Sequence, residues 1–125
     1  MGQDFSKQIT DAIGAHGVWK LRLGTAVATG RSEVSSRDVG RDDRCDFGRW
    51  LHGPSISAEV KNGVPYKVVK RLHAEFHQCA GGVLQCVEAG DATGARTMLA
   101  SDYAERSEKL LRALNKWKRE IAVAA

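Results

Sequence analysis

The stretch PYKVVKRLHAEFHQCAGGVLQCV, residues 65–87, decides the fold. It opens with Pro65, whose fixed φ and missing N–H suit the first turn of a helix. Tyr66, Val69, Phe76, Ala80, Val83, Leu84 and Val87 then recur at helical spacing, the stripe of an amphipathic helix ending near Gly90. His73 and His77 sit inside that stripe. They are about 40° apart around the axis, so both imidazoles point into the core and can chelate one ion. An inward pair of this kind fits hydrogen-bonded core histidines as well as a metal or catalytic site. Gly81 and Gly82 lower helix propensity and mark a place for close helix approach.

Upstream, Phe5, Ile9, Ala12, Ile13, Trp19, Leu23 and Val27 predict a long amphipathic helix over 4–29, with Gly30 placed to end it. The polar stretch 30–44 reads as a crossover loop holding at most a short helical turn. Asp42 or Asp43 is placed to cap a short helix through Leu51, closed by His52, Gly53 and Pro54. Residues 55–63 read as a linker. Downstream, Asp91 is placed to cap a last helix with the stripe Leu99, Tyr103, Leu110, Leu114, Trp117 and Ile121. Three long helices plus the shorter cysteine-bearing segment make an all-α four-helix bundle, with the long first connection as its crossover.

The chain has 125 residues, 42% hydrophobic and 27% charged, which implies one globular domain over 1–125. Nothing in it is apolar enough for a membrane span or a secretory signal, so a cytoplasmic location is expected. The net charge of +4 is spread among acids and apolar positions. Lys67, Lys70 and Arg71, and the group Arg112, Lys116, Lys118 and Arg119, read as solvated helix faces and not as a nucleic-acid footprint. Three cysteines without a signal read as thiols or metal ligands, not a disulfide framework.

His16 changes the reading of the histidine pair, because it lies in the middle of the first helix's stripe with Ile9, Ala12, Leu23 and Val27. Three inward imidazoles need partners for their ring nitrogens, and a divalent ion satisfies all three together. Zinc is the economical choice, with a tetrahedral shell drawn from His nitrogen and Cys thiolate. The unused segment supplies the fourth ligand, Cys45, which opens the short helix. Cys79 is about 160° from His77 around its helix, and Cys86 shares the Cys79 face, so both read as packed, inert thiols. His52 lies about two turns beyond Cys45 and is expected on the surface.

The pattern His16-Gly17-Val18-Trp19-Lys20, then Cys45-x-Phe47-Gly48-x-Trp50-Leu51, then His73-x-x-x-His77 resembles the chemoreceptor zinc-binding (CZB) domain family of bacterial signalling proteins. The resemblance spans nearly the whole chain, with Phe47 where leucine is commoner. It implies a zinc site of His16, Cys45, His73 and His77, and a sensory role beside chemoreceptor or diguanylate cyclase outputs, associated with zinc and hypochlorous acid. It also implies a homodimer packed through helix faces. Trp19 and Trp50 read first as core aromatics that lock the ligand-bearing segments. Gly48 reads either as a close backbone approach or as a glycine with no special role. Asp11, Asp42, Asp43 and Asp46 are candidates for orienting the ligand imidazoles. A four-ligand site lacks the open position of hydrolytic zinc, so no enzyme activity is expected, and Cys45 is the redox-sensing candidate. The alternative is a structural zinc module whose helix faces bind partners or dimerise.

Overall fold

The computed structural model describes residues 2–124, with side chains from 5 to 121. Helix α1 (Gly2–Thr29) runs without interruption. It ends at Gly30, which adopts φ 71° and returns its N–H to the Ala26 carbonyl at 2.8 Å. A side chain at such a left-handed position costs about 1–2 kcal/mol, which is why glycine stops the helix here. The 30–44 connection carries the expected short turn, α2 (Ser36–Val39), capped by the Ser35 hydroxyl. Helix α3 (Asp46–His52) follows.

Two local expectations fail. Neither Asp42 nor Asp43 caps α3; the cap is Cys45, whose Sγ accepts from the Gly48 N–H at 3.3 Å. Both carboxylates are engaged elsewhere, Asp42 by His52 Nε2 at 3.0 Å and Asp43 by the Arg41 guanidinium. The stretch 55–63 is not a plain linker, since Ser57 caps a further short helix, α4 (Ala58–Lys61). The serine signal is present in the sequence, but four residues are too few to show a hydrophobic period.

Helix α5 (Val64–Glu88) carries Pro65 in its first turn as expected and buries its stripe, including Phe76, Ala80, Val83 and Leu84. The Asp91 carboxylate caps α6 (Ala92–Met98), accepting from the Gly94 N–H at 2.9 Å. The last helix is not a single α-helix, because a π turn (Leu99–Tyr103) separates α6 from α7 (Ala104–Ala124). Ala95 and Tyr103 are both buried but lie eight residues apart, one more than two α-turns accommodate. The wider turn absorbs the extra residue and keeps both on the core side.

Helices α1, α5 and α7 pack against one another, while α2 lies on α5 and α3 on α1, so the short elements close the fourth side of a helical bundle. Among the described residues there is no strand. Ile9, Leu23, Leu84, Leu110 and Leu114 are fully buried at the centre, each side chain contributing about 1.5–3 kcal/mol of transfer free energy. The seat of α2 depends on a glycine pair: a Cβ at Gly81 would stand 2.8 Å from the Gly40 Cα and 2.9 Å from the Ser36 carbonyl oxygen. Glu88 secures the same element, accepting from the Ser36 N–H at 2.9 Å and from its hydroxyl at 2.6 Å.

Candidate metal centre

The bundle brings His16 of α1, Cys45 at the head of α3, and His73 and His77 of α5 together, with their donor atoms all within 4.8 Å of one another. The three imidazoles are buried and the thiol is half-buried. Each position follows from a local rule. His73 and His77 share a face because they are one turn apart, His16 lies on the buried stripe of α1, and Cys45 turns its sulfur inward because it caps a helix.

The outer ring nitrogens settle the chemistry of the inner ones. His16 Nδ1 lies 2.7 Å from the Ala12 carbonyl oxygen and His77 Nδ1 lies 2.9 Å from the Val39 carbonyl oxygen. A carbonyl only accepts, so both Nδ1 atoms carry the proton and both Nε2 atoms present a lone pair inward. Those two Nε2 atoms are 3.3 Å apart, and His73 Nε2 is 3.1 Å from His16 Nε2. Two lone pairs facing across 3.3 Å repel unless a cation lies between them. The Cys45 sulfur adds contacts of 3.3 Å to His73 Nε2 and 3.6 Å to His77 Nε2. Zinc with Zn–N of about 2.0–2.1 Å and Zn–S of about 2.3 Å gives tetrahedral edges of about 3.3 Å and about 3.6 Å. The donor set therefore fits zinc in type, in the protonation of His16 and His77, and in the spacing of these four donor pairs, the whole set lying within 4.8 Å.

Burial tunes the same groups. It lowers the His16 pKa to about 4, against the opposing Ala12 hydrogen bond, and that of His73 to about 2. His77 is lowered too, again mainly by burial. All three are neutral imidazoles at neutral pH, the form that binds metal. Burial pushes the Cys45 thiol up, while the N–H groups of Gly48 and Phe47 pull it down. The surrounding protein alone does not ionise this sulfur; a bound divalent cation does.

The neighbouring residues divide by what they touch. Phe47 and Phe76 meet the imidazoles with near-perpendicular ring planes, with centroids 5.2 Å from His73 and 5.1 Å from His16 respectively. Gly48 is a close approach: a Cβ there would fall 1.7 Å from the Asp42 carbonyl oxygen. Trp50 packs on Phe5, Phe47 and Trp117, whereas Trp19 is half-buried with the Arg22 guanidinium 4.1 Å above its ring. The carboxylates do not orient the imidazoles. Asp11 pairs with Lys7, Asp43 with Arg41, Asp46 with Arg49 and Asp42 with His52. Backbone carbonyls of Ala12 and Val39 take that role, and no side-chain pattern marks them. His52 lies outside the cluster, Cys79 is buried away from it, and Cys86 is half-buried.

No helix among the described residues is long and apolar enough to cross a membrane. The chain matches no curated protein and no solved structure. The family model of the chemoreceptor zinc-binding domain matches residues 16–84, which holds all the motif residues but is narrower than the expected span of nearly the whole chain, leaving the first half of α1, the end of α5, α6, the π turn and α7 outside. That span begins at His16, contains Cys45, His73 and His77, and covers more than half the sequence. With a donor cluster that fits zinc inside the matched span, the chain belongs to the chemoreceptor zinc-binding domain family.

Proposed function

We propose that the chain is a sensory or regulatory module of bacterial signal transduction, serving a chemotaxis or cyclic-di-GMP output, in which His16, Cys45, His73 and His77 hold zinc. The observation that carries this reading is the convergence of three neutral imidazoles and one thiol within 4.8 Å. Four protein donors fill a tetrahedron, so the reading includes no hydrolytic activity. Zinc, when bound, keeps the Cys45 sulfur as a thiolate at neutral pH. The rest belongs to the protein: α1 and α5 fix the imidazoles, and the loop before α3 presents the sulfur.

Cys45 is then the residue that converts an oxidant into a structural change. Hypochlorous acid transfers chlorine to the sulfur and hydroxide leaves; water then displaces chloride to give the sulfenic acid, a poorer ligand. The ordinary thiols at Cys79 and Cys86 are expected to react later, and Cys79 is raised further by burial. The active form is proposed to be a homodimer formed through the outer face of α1, where Val18 is 53% and Leu21 73% exposed.

Protein purified without added metal should carry about one zinc per chain. After about one equivalent of hypochlorous acid, peptide mass spectrometry should place oxidation on Cys45, with zinc release following the same dose dependence. Oxidation of Cys79 or Cys86 with zinc retained would leave the structural-module reading in its place. That reading also has an observation behind it, since one ion would tie together α1, α3 and α5.

A further inference from the structure

An open cleft of about 740 Å³ lies between α1 and the α2–α3 side of the bundle, and His16, Cys45 and His77 are among its lining residues. It is a route from solvent to the sulfur. Its charges are unevenly neutralised. Asp11, Asp46 and Arg49 line the cleft but are committed, Asp11 to Lys7 and Asp46 to Arg49. Arg41 is held by Asp43. Arg22 and Arg44 also line it, and neither forms an ion pair among the described residues. Against them stand Asp38 on the lining and the Asp42 carboxylate, whose charge also acts on the Cys45 sulfur.

Two uncommitted guanidiniums at the wall of a concave, partly apolar cleft focus a positive potential along it. Arg22 lies over the indole of Trp19, which biases its exposed charge toward that place on the wall. A dication bound by three neutral imidazoles and one thiolate leaves one net positive charge at the cleft floor, which adds to the same field.

We propose that this cleft is an anion-selective port to Cys45, admitting small monoanions of carboxylate size in preference to neutral molecules of the same shape, with Arg22 and Arg44 making the selection. The port rests on the reading of Cys45 as the reactive ligand and names the class of molecule that reaches it. It concerns access and not the outcome of oxidation, so the two fail separately.

The test uses zinc-loaded protein and a pair of near-isosteric alkylating agents, iodoacetate and iodoacetamide. Each forms an S–C bond with the thiolate as the C–I bond breaks and iodide leaves. Rates at Cys45 and at the half-buried Cys86 are read by peptide mass spectrometry, with zinc release followed by a chromophoric chelator. The anion-to-neutral rate ratio at Cys45 should exceed that at Cys86 by roughly three- to tenfold and shrink as ionic strength rises. Arg22→Gln combined with Arg44→Gln should bring the two ratios together. Modification of Cys45 with zinc loss at equal ratios, or a ratio unmoved by the double substitution, would overturn the port alone. Cys45 unmodified by both reagents would overturn the port and the reactive-ligand reading together.

Discussion

Gly48 has no space for a side chain, because the Asp42 carbonyl occupies the position a Cβ would take. Since Gly48 also donates the N–H that holds the Cys45 sulfur, an alanine there displaces the loop and the donor together. Gly48→Ala should weaken zinc binding by at least tenfold in a chelator competition titration, within the roughly 10–100-fold range for groups that support a metal ligand. Native affinity in that variant would show that the loop yields without moving the sulfur. At this scale the convergence of the four side chains was legible and what supports them was not. Helical periodicity fixes which way His16, His73 and His77 point, and a cysteine at the opening of a short helix turns inward. The groups that orient the rings are the carbonyls of Ala12 and Val39, and a carbonyl is identical at every position of a sequence. Carboxylates such as Asp42 drew the expectation instead, because only side chains can be read.

Among the elements, α2 is small but ties two regions together. Its Val39 carbonyl accepts from His77 Nδ1, its Gly40 rests on Gly81, and its Ser36 is held by Glu88 near the end of α5. Glu88 is therefore a positioning residue for a histidine about three turns away on its own helix. Glu88→Ala should raise amide exchange over residues 36–40 and weaken zinc binding about three- to tenfold, with Glu88→Gln intermediate because it keeps an acceptor for Ser36. Loss of protection in α2 with unchanged zinc affinity would separate the clamp from the site. The long helices were readable from their stripes and end signals, down to Gly30, Pro65 and Asp91. The π turn was not, because its only trace is the eight-residue step from Ala95 to Tyr103, which the regular spacing on either side conceals. The short helix α4 escaped for the opposite reason, being too brief to carry any period.

For the whole molecule, the outer face of α1 sets the test of assembly. Gly14, Val18, Leu21, Thr25 and Ala28 follow one another at alternating four- and three-residue steps, the spacing of a helix-pairing seam. Leu21→Glu should shift light-scattering mass from dimer to monomer while leaving zinc content at about one per chain. A wild-type protein that is monomeric at high concentration would count against this seam. The Cys45 sulfur has a further consequence through its two simultaneous tasks, accepting the Gly48 N–H and facing the imidazole cluster. If Cys45 is the oxidant-reactive ligand proposed above, an oxygen added to it changes both tasks at once, and a chemical event at a single atom would be translated into the fraying of the first turn of α3. On that reading the chain would act as a transducer whose output variable is a helix–coil equilibrium, graded by the fraction of sulfur modified.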